Sequence, residues 1–114
     1  MQKMIIEARV NEYAMRDENP HVPWSPSEIA DAAARCRDAG ASILHYHSRA
    51  ADGSPLQTFE LNAEIIRQVR AKCDILILPT LGFFSNDEDP ASRIDCMLQL
   101  AKDPQTKPDL APID

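Results

Sequence analysis

Apolar positions along this chain switch repeatedly between a period of two and a period near 3.6. From Met4 to Val10 they alternate: Met4, Ile6, Ala8 and Val10 share one face, and Ile5, Glu7, Arg9 and Asn11 the other, which predicts a strand. A polar loop with Pro20 and Pro23 follows. Ser25-Pro26-Ser27-Glu28 then opens a helix, with Ser25 as N-cap, Pro26 in the first turn and Glu28 closing a capping box. Ile29, Ala33 and Cys36 form its apolar stripe, and Gly40 is placed to end it. Ala41 to His47 reads as a second strand, and Phe59 to Lys72 as a second helix that buries Leu61, Ile65, Ile66 and Val69. Ile75 to Leu78 is a continuous aliphatic run, the pattern of a strand covered on both faces. A third helix is expected from about Asp89-Pro90, turning Ile94, Met97, Leu98 and Ala101 inward; Lys107 to Asp114 reads as a turn leading into a fourth strand.

Strand and helix alternating with short loops imply parallel strands joined by right-handed crossovers. Two α/β architectures fit. A doubly wound sheet carries a glycine-rich first turn, and Asn11-Glu12-Tyr13-Ala14 bears no likeness to GxGxxG. Polar side chains along one face of the first strand suit the interior of a (β/α)₈ TIM barrel, whose chemistry gathers at the C-terminal strand ends. Such a barrel takes about 250 residues. The 114 present are therefore expected to form a partial TIM-barrel domain, residues 1–114, of three βα units and the start of a fourth strand, truncated on its C-terminal side.

Composition narrows the partners. A net charge of −6 argues against nucleic acid or an acidic membrane surface, and 44% apolar content suffices for a core. No apolar stretch is long enough to span a bilayer, and the N-terminus becomes charged too early for a signal peptide, so a cytoplasmic protein is expected. Cys36, Cys73 and Cys96 are odd in number and lack CxxC spacing, which disfavours a disulfide framework or a structural zinc site.

The barrel arrangement would gather Asn11, Glu12, His45, His47, Arg49 and Thr80 around one mouth. His45 and His47 lie two apart and so project from the same side of a strand. Neutral imidazoles at that spacing make half of a divalent-metal site; a buried, hydrogen-bonded pair is the competing reading. Glu12 is a candidate catalytic acid/base or a partner of the ligands, against a solvated loop carboxylate. Arg49 could bind a substrate carboxylate or pair with Glu12 or Asp52. Glu7 and Arg9 read as an ion pair in the barrel interior.

The runs Trp24-Ser25-Pro26-Ser27-Glu28-Ile29-Ala30, Ala39-Gly40-Ala41, His45-Tyr46-His47-Ser48-Arg49 and Asp52-Gly53-Ser54-Pro55-Leu56-Gln57 together resemble the β-keto acid cleavage enzymes over essentially the whole chain. The resemblance implies a zinc-dependent (β/α)₈ enzyme that takes a β-keto acid and acetyl-CoA to acetoacetate and a new acyl-CoA. It also implies that His45 and His47 bind the zinc, completed by a glutamate from a late strand, with a late Asp and its Arg partner as acid/base. Thr80 matches a neighbour of the family's substrate-binding serine, and Pro79 stands where that serine would be. Pro112 falls where a substrate-contacting threonine is expected, and Glu12 lies a residue or two from the family's loop glutamate. A subgroup with a different substrate is a reasonable consequence.

Three functional readings follow. The first is the keto-acid cleavage enzyme, a homo-oligomer as the full-length parent, with the isolated 114 residues inactive. The second is another metal-dependent barrel of amidohydrolase type, disfavoured because its H-x-H ends the first strand whereas a whole βα unit precedes this one. The third is a non-enzymatic remnant or half-barrel.

Overall fold

A computed structural model describes residues 2–82 and 94–112. Three parallel strands, β1 (Glu7–Arg9), β2 (Ile43–Tyr46) and β3 (Leu76–Pro79), lie in the order β1-β2-β3. They alternate with α1 (Pro26–Asp38), α2 (Phe59–Lys72) and α3 (Asp95–Leu100). Sequential strands lie side by side with a helix in each crossover, and the sheet does not close: this is an incomplete α/β barrel. No described helix is long and apolar enough to cross a membrane.

Helix α1 begins as its sequence dictates. The Ser25 hydroxyl accepts the Glu28 N–H at 3.3 Å, and the Glu28 carboxylate returns to accept the N–H groups of Ser25 (2.8 Å) and Trp24 (3.0 Å). Those two backbone donors, Ser25 first, hold the Glu28 carboxyl down at about 2. Thr58 caps α2 by accepting the Leu61 N–H. Both helices lay their buried stripes, Ile29, Ala30 and Ala33 from α1 and Ile65, Ile66 and Val69 from α2, on the face of the sheet that presents Leu44, Tyr46 and Ile77.

Several expectations need correction. The first strand pairs only over Glu7–Arg9, not from Met4. Only β2 flanks it among the described residues, so Met4 and Ile5 have no ladder to join and are exposed. The third strand is covered on one face only. Ile75 and Ile77 are buried, but Leu76 points to the open inner side and is 45% exposed. In α3 the buried positions are Cys96, Met97 and Leu100, whereas Ile94, Leu98 and Ala101 lie outward. A window this short is compatible with either apolar stripe, and the side that meets α2 decides; the expected start at Asp89-Pro90 lies outside the described residues.

No fourth strand forms over the described part of Lys107 to Asp114. Pro108 and Pro112 have no N–H to give a ladder. Asp109 and Leu110 nevertheless both donate to the Ile77 carbonyl at 3.1 Å, and the Asp109 carboxylate accepts the Ile77 N–H at 2.9 Å. A side chain thus occupies the edge of β3 where a neighbouring strand would pair.

Candidate metal centre

Parity places the site. In β2, Leu44 and Tyr46 face the helices, so His45 and His47 face the inner side of the sheet at its C-terminal end. Tyr46 anchors the strand between them. It is wholly buried, its hydroxyl donates to Asn62 Oδ1 at 2.9 Å, and burial pushes its pKa well up. Asn62 in turn donates to the Thr58 carbonyl at 3.0 Å, tying the strand to the start of α2. Sequence periodicity gave no sign of this buried polar link, because Asn62 sits inside an otherwise apolar helix stripe.

His45 is 9% and His47 8% exposed, and their rings meet edge to face with centroids 5.2 Å apart. Glu12 joins them from the β1–α1 loop, its Oε2 lying 3.3 Å from His47 Nε2. Ligand atoms of Glu12, His45 and His47 all lie within 4.8 Å of one another. Burial lowers the His47 pKa, with the neighbouring His45, Arg49 and Arg9 adding to that effect and Glu12 opposing it. The ring is therefore neutral near pH 7 and has a lone pair to give.

The three side chains suit a divalent cation on two counts. Among the described residues the buried His45 Nδ1 has no hydrogen-bond partner, an arrangement that is costly unless something further meets it. Two imidazoles and a carboxylate are also a recurrent donor set for zinc. With Zn–N and Zn–O bonds of about 2.1 Å, donors on one tetrahedral ion sit about 3.4 Å apart, close to the observed His47–Glu12 spacing.

Glu12 is more than a solvated loop carboxylate. Its φ of 41° lies in the left-handed region, which costs a non-glycine residue about 1–2 kcal/mol. Its other oxygen accepts from Arg9 Nη1 at 3.3 Å, while Arg9 Nε donates to Glu7 at 3.0 Å. Glu7 and Arg9 thus pair as expected on the inner face, but Arg9 is largely exposed because the sheet is open above it.

Arg49 is committed elsewhere. It is 3% exposed and donates to the main-chain carbonyls of Gly53 (2.5 Å), Ala14 (3.0 Å) and Glu12. Neither the Glu12 nor the Asp52 carboxylate pairs with it among the described contacts. It clips the β1–α1 loop to the β2–α2 loop and so holds Glu12 near the histidines. Thr80 follows β3 beside the pair: its N–H donates to the Tyr46 carbonyl at 3.0 Å, and its hydroxyl accepts the Gly82 N–H at 3.3 Å, so that among the described residues the O–H remains available to donate. Asn11, 3% exposed, reaches the His47 main chain.

A parallel α/β barrel segment with a His-His-Glu cluster at its C-terminal rim is an arrangement that could hold a divalent metal ion. Residues 3–114 match the beta-keto acid cleavage enzyme family, and the chain belongs to it. It is 40% identical over 84 residues to a 3-keto-5-aminohexanoate cleavage enzyme of Fusobacterium nucleatum, covering 72% of this chain and 31% of that protein. A second 3-keto-5-aminohexanoate cleavage enzyme, from Acetoanaerobium sticklandii, is 36% identical with the same coverage. A 3,5-dioxohexanoate:acetyl-CoA acetone transferase of Paraburkholderia graminis is 37% identical over 65 residues, 56% of this chain and 21% of that protein. The chain thus spans less than a third of the length of these curated relatives.

Proposed function

We propose that residues 1–114 are the N-terminal part of one barrel domain of a zinc-dependent β-keto acid cleavage enzyme. In the proposed reaction the CH₂–COO⁻ unit of the β-keto acid leaves its acyl group and joins the acetyl group of acetyl-CoA. Acetoacetate and a new acyl-CoA result, with atoms and charge in balance. The observation that carries this reading is the convergence of Glu12, His45 and His47 at the strand ends of a family member. His45 and His47 would hold the cation, with Glu12 within ligand reach. A divalent cation there supplies Lewis-acid polarisation of the keto carbonyl, favouring enolate character at the adjacent carbon.

The chain's own residues do the rest. The Glu12 carboxylate, steered by Arg9 and by the Arg49 clip, accepts or returns a proton at the mouth. The Thr80 O–H donates to a substrate oxygen. Arg49, with its donors on carbonyls, contributes by positioning the loop rather than by gripping the substrate. The names of the relatives, which act on different β-keto compounds, support the substrate class but leave the particular acid open. An amidohydrolase-type reading is disfavoured by the placement of the pair on β2 rather than β1.

The test is the zinc content of the purified chain against that of a His45→Ala/His47→Ala double variant. About one zinc per chain falling to background supports the reading, and equal content in both removes it. Acetoacetate formation from a β-keto acid and acetyl-CoA is expected of the closed barrel. It is not expected of the 114 residues alone, whose sheet leaves the site open.

A further inference from the structure

The β1–β2 ladder stops just short of the site, and a side chain continues it. The last main-chain bond between the two strands is Val10 N–H to the His45 carbonyl at 3.2 Å. A further main-chain rung would need Glu12 to stay extended, but its φ of 41° turns the chain away. The Asn11 carboxamide takes the vacated place. Its Oδ1 accepts the His47 N–H at 2.9 Å, and its Nδ2 donates to the His47 carbonyl at 2.8 Å and to the Pro23 carbonyl at 3.0 Å. One buried amide thereby satisfies both main-chain polar groups of His47. The surroundings also fix its orientation, since an N–H needs the oxygen and two carbonyls need the nitrogen.

We infer that Asn11 is a positioning residue for His47: its carboxamide stands in for a missing peptide rung and sets where the second imidazole of the pair sits at the rim. As a statement about the metal centre this rests on the reading under Proposed function; as a statement about His47 it does not. The same link joins the β1–α1 loop, through Pro23, to the histidine, so the segment that carries Glu12 and the strand that carries His47 are held in mutual register. Partners that orient a ligand in this way change metal affinity by about 10–100-fold when removed.

Amide hydrogen exchange and Co²⁺ titration on the purified chain test this together, with Asn11→Ala, Asn11→Leu and the core-trimming control Ile66→Val. Leucine preserves the bulk of the side chain but offers no hydrogen bond. Both Asn11 variants should lose at least about tenfold of the exchange protection at His47 beyond any change at Leu44, and bind Co²⁺ at least about tenfold more weakly. The control should do neither. Wild-type protection at His47 in the Asn11→Leu chain, an equal loss at Leu44, or unchanged Co²⁺ affinity would overturn the inference. Should wild type and the double-histidine variant bind Co²⁺ alike, the metal reading is what has failed, and the exchange comparison alone decides whether Asn11 holds His47. Should the variants not fold, the wild type suffices: a His47 amide that exchanges as fast as an unstructured peptide refutes the inference.

Discussion

Replacing Glu12 by glycine separates two roles that this residue combines. Its left-handed backbone costs about 1–2 kcal/mol that glycine does not incur. Against that relief stand two losses. Glycine makes the unfolded chain more flexible, worth about 0.4–1 kcal/mol. The Arg9–Glu12 ion pair also disappears, but with side chains 63% and 40% exposed it is screened by solvent and its loss weighs little. The sum is close to zero, so Glu12→Gly should fold with wild-type stability to within about 1 kcal/mol by urea denaturation. Metal affinity should behave differently, because the variant lacks the one carboxylate that the described residues bring to the cluster; Co²⁺ or Zn²⁺ binding should weaken by tenfold or more. Glu12→Gln keeps the strained backbone and loses the charge, so it should match glycine in weakened affinity without gaining stability. A glycine variant destabilised by more than about 2 kcal/mol would show that the left-handed backbone is not a cost here. Wild-type metal affinity in both variants would remove Glu12 from the site.

Three further outcomes follow from the loops and caps that frame the site. Gly53 has φ 84°, and a Cβ there would run into the Trp24 indole, so Gly53→Ala should lose about 2–4 kcal/mol in urea denaturation. Arg49→Lys keeps the charge but not the planar fork, and it strands the buried carbonyl of Gly53 and the half-buried ones of Ala14 and Glu12; a loss of about 2–4 kcal/mol is expected, with weakened metal binding as the Glu12 loop loosens. The Glu28 carboxyl is lowered to about 2 by the Ser25 and Trp24 N–H groups, so its contribution is complete above its ordinary 4.5 and fades as pH falls from there towards 2. Glu28→Gln should therefore cost about 1 kcal/mol at pH 7, the side chain being nearly half exposed, and the gap to wild type should close below about pH 2; a gap independent of pH would contradict the assignment.

The elements that the hydrophobic pattern predicted best are those whose ends carry their own chemistry. Ser25, Pro26 and Glu28 mark the start of α1 in sequence and cap it in structure. Helix α2 spans Phe59–Lys72 as its stripe of Ile65, Ile66 and Val69 required. Where an element depends on a neighbour, sequence was a poorer guide. The Met4–Val10 pattern describes a strand, but pairing stops at Glu7 because only β2 lies alongside among the described residues. Ile75 to Leu78 reads as doubly covered, yet among the described residues Leu76 stays 45% exposed on the inner side of an open sheet. Composition cannot say which faces of a barrel strand find a lid.

The site shows the same division more sharply. Strand parity alone set His45 and His47 on one side and Tyr46 on the other, because a period of two leaves no other arrangement. Asn11, Glu12 and Arg49 were legible only as polar residues near a strand end. Their roles depend on a single local event, the turn of the chain at Glu12, which no periodicity encodes. That turn removes a main-chain rung from the ladder, which calls for Asn11 to replace it. It carries the Glu12 carboxylate to His47 and exposes loop carbonyls that Arg49 then collects. Local rules of propensity are violated at this one residue, a φ that glycine would adopt freely, and the violation coincides with the cluster of metal-ligating atoms. A relaxed residue at position 12 would let the ladder run on, and the carboxylate would then follow strand parity away from the histidines; the strain is what brings an acidic group from the even-numbered face of β1 to a pair on the odd-numbered face of β2.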